Sequence, residues 1–299
     1  MPLRVLLLAV TLFAALPLLA WGEKGHLMVN EAAAAATPND LPPFFHRARS
    51  RLTYLGVDPD RWYTGGFPSI RAVNFPEHFL DYEYVAHLEL PADRYAYVDL
   101  LYSSGTLRRF GIGNATAGFA PWRIAELAEL LTVQWRLWRD AAPGPERDQI
   151  EENIIFIAGT LGHYVGDTAN PHHATIHYNG WAAADNPERF RTDCETHERF
   201  EFDFVTRAIE LADVQGEMRE PVLRPQFFSA AMAHVRESHA LVEELYRIDR
   251  DGDFDRGTGT GRARSFAARR LAAGASLLRD LWWTTWRESA RPLKDWRTR

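Results

Sequence analysis

The sequence has almost no cysteine: Cys194 is the only one among its 299 residues. An intramolecular disulfide is therefore excluded, and core packing or bound metal has to stabilise the chain instead. The sequence also lacks a long serine- or proline-rich linker and any repeat of fixed period. These absences predict one compact domain over residues 21–299, which is long enough to bury a large core.

An excess of positive charge is also lacking. The chain has 34 Lys and Arg against 40 Asp and Glu, which gives a formal net charge of −6. This balance argues against a broad basic face that binds duplex nucleic acid. It leaves room for a small phosphate site in which metal ions supply the positive charge.

Long apolar runs are absent except in the first twenty residues, MPLRVLLLAVTLFAALPLLA. Arg4 precedes this run, Pro17 interrupts it and the small Ala20 ends it. The apolar run begins only at Val5 and is therefore shorter than the roughly 20 residues that span a bilayer. A secretory signal peptide over residues 1–20 is favoured over a membrane anchor. Cleavage after Ala20 would leave Trp21 at the N-terminus of a secreted or periplasmic protein.

Alternating strand patterns joined by tight hairpins are missing as well, and helical periodicity dominates. The glycine-rich stretches at 111–118 and 257–262 follow no strand, so they do not indicate a nucleotide-binding loop. The predicted class is all-α, with a single compact multi-helix domain. The clearest helices are expected at residues 27–36, 121–142, 146–169, 187–212, 225–248 and 262–289.

Ligand-type side chains are concentrated in LGHYVGDTANPHHATIHYNG, residues 161–180, which holds four histidines and one aspartate. His163 and Asp167 are four residues apart, so a helix would project both from one face. Pro171 ends that helix, which allows His172 or His173 to turn back from the following loop. The stretch therefore has the residue types and the spacing of a metal site.

The same spacing recurs in THERFE, where His197 and Glu201 would share a face. A single pair of this kind is more often a surface ion pair worth a few tenths of a kcal/mol. His163 differs because its helix is apolar, and an unpaired polar group buried there would cost about 1–3 kcal/mol. A metal ion would be a suitable partner.

Further ligand types precede this region. Asp60 lies in GVDPDRW, His78 lies in FPEHFLDYE, and His26 follows Trp21, the expected N-terminal residue after cleavage, by five residues. Imidazole and carboxylate groups without thiolate favour a hydrolytic zinc site over a closed, cysteine-rich structural site.

In this order, these residues resemble the superfamily of zinc-dependent phospholipases C and single-strand-specific nucleases, which are all-helical secreted enzymes with three clustered zinc ions. The matching positions run from Trp21 to Glu201, and the last third of the chain has no matching motif. The pattern is an N-terminal tryptophan, a nearby histidine, Asp then His, H-x-x-x-D with a histidine six residues later, and H-x-x-x-acid. The resemblance implies that residues 21–299 form a zinc-dependent phosphodiesterase in which metal-activated hydroxide attacks the phosphodiester.

The resemblance also implies how three zinc ions are held. His173 is preferred to His172 because the family places this ligand six residues after the bridging aspartate. Asp58 is the alternative to Asp60 as a zinc ligand. The resemblance also implies that Asp60 acts as a general base. One ion would be held by Asp60, His78, His163 and Asp167, a second by His173, His197 and Glu201, and a third by the amine and carbonyl of Trp21 with His26 and the bridging Asp167.

The motifs indicate the substrate class less directly than they indicate the metal ligands. GHLMVNEAA and HERFEFDFV, with Glu201 rather than aspartate as last ligand, resemble the phospholipases C, whereas the step from Trp21 to His26 resembles the nucleases. Phospholipid is therefore the favoured substrate, and single-stranded nucleic acid, cleaved by a nuclease or 3′-nucleotidase, is the alternative.

A noncatalytic zinc- or phosphate-binding protein of the same fold is a second alternative, and no obligate protein partner is evident. The aromatic residues that suit either a choline-type cage or a base-stacking slot are Tyr63, Phe67, Phe75, Tyr82 and Tyr178.

Overall fold

The computed structural model describes residues 21–255, 257 and 259–291, with the backbone alone at Tyr63. The predicted signal peptide at residues 1–20 lies outside these residues. Within them there is no β-strand, and isolated bridges join Leu80 to Gly118 and Tyr178 to Gly180. The predicted all-α class is therefore confirmed.

The α-helices vary widely in length, and short 3₁₀ turns occur at Phe75–Glu77, Tyr82–Tyr84 and Pro171–Ala174. A π-helical segment covers Arg199–Phe204. None of the described helices combines the length and the hydrophobicity that a membrane span needs. In chain order the helices are α1 Gly22–Ala35, α2 Pro43–Arg47, α3 Arg49–Leu55, α4 Asp58–Thr64, α5 Pro68–Asn74, α6 Arg94–Ser103, α7 Thr106–Phe110, α8 Ala120–Asp140, α9 Pro145–Ala169, α10 Thr196–Glu198, α11 Val205–Ala208, α12 Leu211–Gly216, α13 Phe227–His239, α14 Val242–Arg250 and α15 Gly261–Glu288.

Helix α9 lies at the centre of the fold, where α1, α3, α8 and α15 pack around it. Its first turn has Pro145 and two acidic residues, which favour a helix start, and it ends two residues before Pro171. Every residue from 158 to 169 is buried. The half of α9 that carries His163 and Asp167 is thus enclosed on all sides.

The three longest helices of the structure, α8, α9 and α15, agree with the predicted helices at 121–142, 146–169 and 262–289 to within two residues at each end. The prediction of one helix over 187–212 is wrong. The Asn186 side chain bonds to both the backbone N–H and the carbonyl of Phe190, and this local bonding competes with a helix. The predicted helix at 225–248 is likewise divided, into α13 and α14, with Ala240 and Leu241 between them.

Close approach between α9, α1 and α3 depends on glycine and on one buried amide. The Asn30 side-chain amide of α1 donates to the carbonyls of Leu52 in α3 (2.7 Å) and Gly159 in α9 (2.9 Å). A Cβ at Gly162 would overlap this amide and would lie 2.7 Å from Leu278 Cδ2. Only glycine fits this position without moving a fully buried neighbour.

We expect Gly162→Ala to lower the free energy of unfolding by about 2 kcal/mol, because overpacking would displace the doubly bonded Asn30 amide. Urea denaturation followed by circular dichroism measures the change. Gly216→Ala is the matched control, since no heavy atom lies within 4 Å of the added Cβ. Equal stability of the two variants would show that the contact between α1 and α9 tolerates an extra methyl group.

Candidate metal centre

The buried half of α9 places two ligand-type side chains on one face. His163 Nε2 lies 3.3 Å from Asp167 Oδ2, and both side chains are completely buried. His163 Nδ1 donates to the Gly56 carbonyl at 2.8 Å. Because Nδ1 is engaged in this bond, Nε2 is directed at the Asp167 carboxylate. A hydrogen bond from the other ring nitrogen commonly orients a metal-binding histidine in this way.

Two residues from the segment before α6 join this pair. Asp60 on α4 places Oδ1 at 3.5 Å from His163 Nε2, and His78 Nδ1 lies 3.1 Å from Asp167 Oδ2. The four side chains implied for the first ion are therefore together. Asp58 instead forms an ion pair with Arg61 at 2.9 Å, so the structure places Asp60, and not Asp58, among the histidines.

A second group forms where the 3₁₀ turn after α9 meets α10 and the π-helical segment. His173 Nε2 lies 3.2 Å from His197 Nε2 and 3.4 Å from Glu201 Oε1, while His197 Nε2 and Glu201 Oε1 are 2.6 Å apart. His173 Nδ1 donates to the His78 carbonyl at 2.8 Å, so its Nε2 faces the group. The Asn170 side-chain amide donates to the Glu201 carboxylate.

His172 belongs to the same neighbourhood. Its ring stacks on that of His197 with centroids 4.9 Å apart, and one ligand atom each of His172, His197 and Glu201 lies within 4.8 Å of the others. Neither ring nitrogen of His172 has a hydrogen-bond partner. The structure thus brings both His172 and His173 to this group, and the sequence preference for His173 stays a prediction.

The third predicted group surrounds the start of α1. His26 is fully buried, stacks on His163 with centroids 4.0 Å apart, and has Nε2 3.5 Å from Asp167 Oδ1. Trp21 is also fully buried, and its indole N–H donates to the carbonyl of Gly166. This bond holds Trp21 next to the helical turn of Asp167. The Trp21 carbonyl, which the resemblance implies as a metal ligand, accepts a hydrogen bond from Gly25 N–H at 3.2 Å.

The donor set fits divalent ions. The buried polar atoms without a hydrogen-bond partner include both ring nitrogens of His26 and of His172, Asp60 Oδ2 and Glu201 Oε2. Leaving such atoms uncompensated in a protein interior costs about 1–3 kcal/mol each. Nitrogen and oxygen donors in three adjoining groups match the preferences of zinc.

The pKa values of the ligand-type side chains in the metal-free chain also favour the binding of cations. Burial alone would lower the pKa of His163, but the carboxylates of Asp167 and Asp60 outweigh it and raise the pKa to about 9. The pKa of His173 is likewise raised to about 9, against its burial, by Asp167 and Glu201. Burial raises the pKa of Asp60 to about 7 and lowers that of His78 to about 4. Protonated imidazoles therefore provide positive charge where cations would bind.

A cavity of about 500 Å³ opens onto the first and second of these groups. Its lining includes Asp60, His78, His172, His173 and His197, together with residues that were not predicted as metal ligands. These wall residues are Arg71, Phe75, Phe79, Asp81, Ala115, Thr116 and Tyr178.

The aromatic candidates separate in space. Phe75 and Tyr178 line the cavity, whereas Tyr82 packs on His239 with ring centroids 5.0 Å apart. Phe67 lies on the surface with 66% of its area exposed, and the side chain of Tyr63 is outside the described part of the chain.

Asp81 also lines the cavity, although no sequence pattern predicted a role for it. It is buried, and burial together with the nearby Glu83 raises its pKa well above the usual value.

No family model matches the sequence, and no curated protein matches it either. The solved structures that are similar to this chain at low identity include two alpha-toxins. An alpha toxin from Clostridium absonum is 14% identical with a TM-score of 0.46, over 91% of this chain and 67% of that one. An alpha-toxin from an avian strain of Clostridium perfringens is 12% identical with a TM-score of 0.40, over 91% of this chain and 65% of that one. The chain thus spans about two thirds of the length of each.

Zinc binding to the metal-free protein is expected to release protons and to strengthen as the pH rises from about 6 to about 9. His163 and His173, with pKa values of about 9, and Asp60, with a pKa of about 7, hold protons below those values that the metal must displace. Calorimetry with chelator-buffered zinc, in two buffers of different ionisation enthalpy, measures the protons released. An affinity that does not change with pH would contradict this assignment of charge.

Proposed function

We propose that this protein is a zinc-dependent phosphoester hydrolase, exported after removal of residues 1–20, and that phospholipids are its substrates. The observation that carries the proposal is the presence of three adjoining, buried histidine–carboxylate groups, two of which have residues that line one open cavity. Buried structural sites for zinc are usually closed by four protein ligands, whereas hydrolytic sites keep a position open to substrate. The cavity provides that access.

The assignment of three ions follows the geometry together with the family resemblance. Asp167 has one carboxylate oxygen near His26 and the other near His163 and His78, so it is suited to bridge two ions. The proposed ligands are Asp60, His78, His163 and Asp167 for the first ion, His173, His197 and Glu201 for the second, and Trp21, His26 and Asp167 for the third.

The chain's own groups suit a phosphoester. When bound, zinc ions acidify a water molecule and neutralise charge on phosphate oxygens. Asp60 lines the cavity and its Oδ2 has no hydrogen-bond partner, so this oxygen is available to accept a proton from the attacking water. Arg71 lines the same cavity, where a guanidinium can bind a phosphate oxygen.

The cavity wall supports phospholipid as the substrate class. Phe75 and Phe79 form an apolar side next to the ligand groups, and the chain as a whole carries net negative charge, which suits a polyanionic strand poorly. Tyr178 favours the second candidate, a single-strand-specific nuclease or 3′-nucleotidase. Half of its area is exposed at the cavity, where a base could stack on it.

Purified protein that begins at Trp21 is expected to hydrolyse phosphatidylcholine and bis-p-nitrophenyl phosphate, to lose both activities with a chelator, and to regain them with zinc. Release of phosphocholine and of p-nitrophenol measures the two reactions. Preferred cleavage of single-stranded DNA would favour the nuclease. Three bound zinc ions without turnover on any of these substrates would leave a noncatalytic binding protein.

Metal content provides a separate prediction about the bridge. Asp167→Ala should lose two zinc ions per chain because it removes a ligand from two groups, whereas Glu201→Ala should lose one. Inductively coupled plasma mass spectrometry on the gel-filtered variants gives the stoichiometry. Asp58→Ala is the control that should retain all three ions, since Asp58 pairs with Arg61. Loss of a single ion from both Asp167→Ala and Glu201→Ala would refute the bridging role.

A further inference from the structure

Helix α5 and its flanks present apolar side chains to solvent. None of the seven residues of Pro68–Asn74 is buried. The exposed fractions are 66% for Phe67, 43% for Ile70 and 64% for Val73. We call these three side chains the α5 surface. Soluble proteins rarely expose contiguous large apolar groups without a binding role.

The segment that contains this surface differs in composition from the whole chain. Residues 61–76 contain Arg61 and Arg71 but no aspartate or glutamate, in a chain with a formal net charge of −6. Arg61 forms ion pairs with Asp58 and Glu23, while Arg71 lies over the Phe75 ring at 5.5 Å and lines the cavity. An arginine at the cavity, beside exposed apolar side chains, suits a surface of phosphate headgroups above acyl chains.

The α5 surface is continuous with the cavity. Phe75 follows α5 directly, is 45% exposed, and also lines the cavity. Its ring meets that of Phe79, another wall residue, edge to face at 5.3 Å. Apolar side chains therefore lead from the exposed helix to the wall of the cavity.

We propose that the α5 surface docks on a phospholipid membrane, where Phe67, Ile70 and Val73 insert among the headgroups and bring the cavity mouth to the lipids. This inference rests on the proposed hydrolysis of phospholipids. A second copy of the chain is a poorer occupant, because a seven-residue helix offers much less than the roughly 20–30 residues a side of a stable interface.

The test uses the zinc-loaded protein and vesicles of a phosphatidylcholine analogue whose glycerol is joined to phosphorus through carbon, so that the lipid is not cleaved. Vesicle sedimentation measures the partition coefficient. Phe67→Ser and Val73→Ser should each weaken binding about tenfold or more, as expected when a large apolar side chain no longer leaves water. Val133→Ser, at an exposed valine on α8 with 46% exposure, is the matched control and should bind like the unmodified protein.

Two further measurements separate docking from catalysis. Hydrolysis of soluble bis-p-nitrophenyl phosphate should stay unchanged in the α5 variants, while their hydrolysis of phosphatidylcholine vesicles should fall in parallel with binding. Light scattering gives the oligomeric state. Vesicle binding that α5 substitutions do not change, equal losses on the soluble and the vesicle substrate, or a dimer that Phe67→Ser dissociates would each overturn the proposal.

The failure of docking and the failure of the proposed function are distinguishable. Activity on bis-p-nitrophenyl phosphate without vesicle binding would leave a phosphodiesterase that lacks a membrane-docking helix. Vesicle binding that depends on Phe67 and Val73, without hydrolysis of any phosphodiester, would retain the docking surface and reject the enzyme.

Discussion

Enclosing imidazole and carboxylate groups in a dry interior is the constraint on which this structure depends. His26, His163 and Asp167 are each completely shielded from solvent, and such groups are costly to bury unless each has a partner of opposite charge or a hydrogen bond. In the metal-free chain, protonated His163 and His173 lie opposite Asp167, whose pKa they hold well below its usual value against the effect of burial. Cations that took the place of those protons would satisfy the same requirement.

The backbone orients this cluster. The carbonyls of Gly56 and His78 accept from the Nδ1 atoms of His163 and His173, so that both Nε2 atoms face the carboxylates. Gly162 lets α1 approach α9 closely, and the same approach seats His26 against His163. The geometry of the candidate metal centre therefore depends on the packing of the central helices, because a displacement of α1 would also move the ligand-type side chain of His26.

Sequence patterns were most informative where a side chain's position follows from local periodicity. The apolar run ending at Pro171 predicts α9, and the four-residue spacing predicts that His163 and Asp167 share a face, as they do. His197 and Glu201 are adjacent although their segment is π-helical in part, since four residues still complete roughly one turn.

Other features depend on tertiary contacts that no local pattern encodes. The short helices between 43 and 110 lack long periodicity, so neither α5 nor the place of Arg71 at the cavity was predictable. Local chain direction also leaves His172 and His173 equivalent, because both belong to one 3₁₀ turn and both are buried. The same limit applies to residues 187–195, where the Asn186 side chain replaces helical bonds.

The solitary thiol has a practical consequence. Cys194 is exposed, and it precedes His197 by three residues on the approach to the second ligand group. A maleimide dye or spin label would therefore attach at one defined point near the cavity without any engineered cysteine. Such a reporter would allow substrate arrival and metal exchange to be followed in real time on the otherwise unaltered chain.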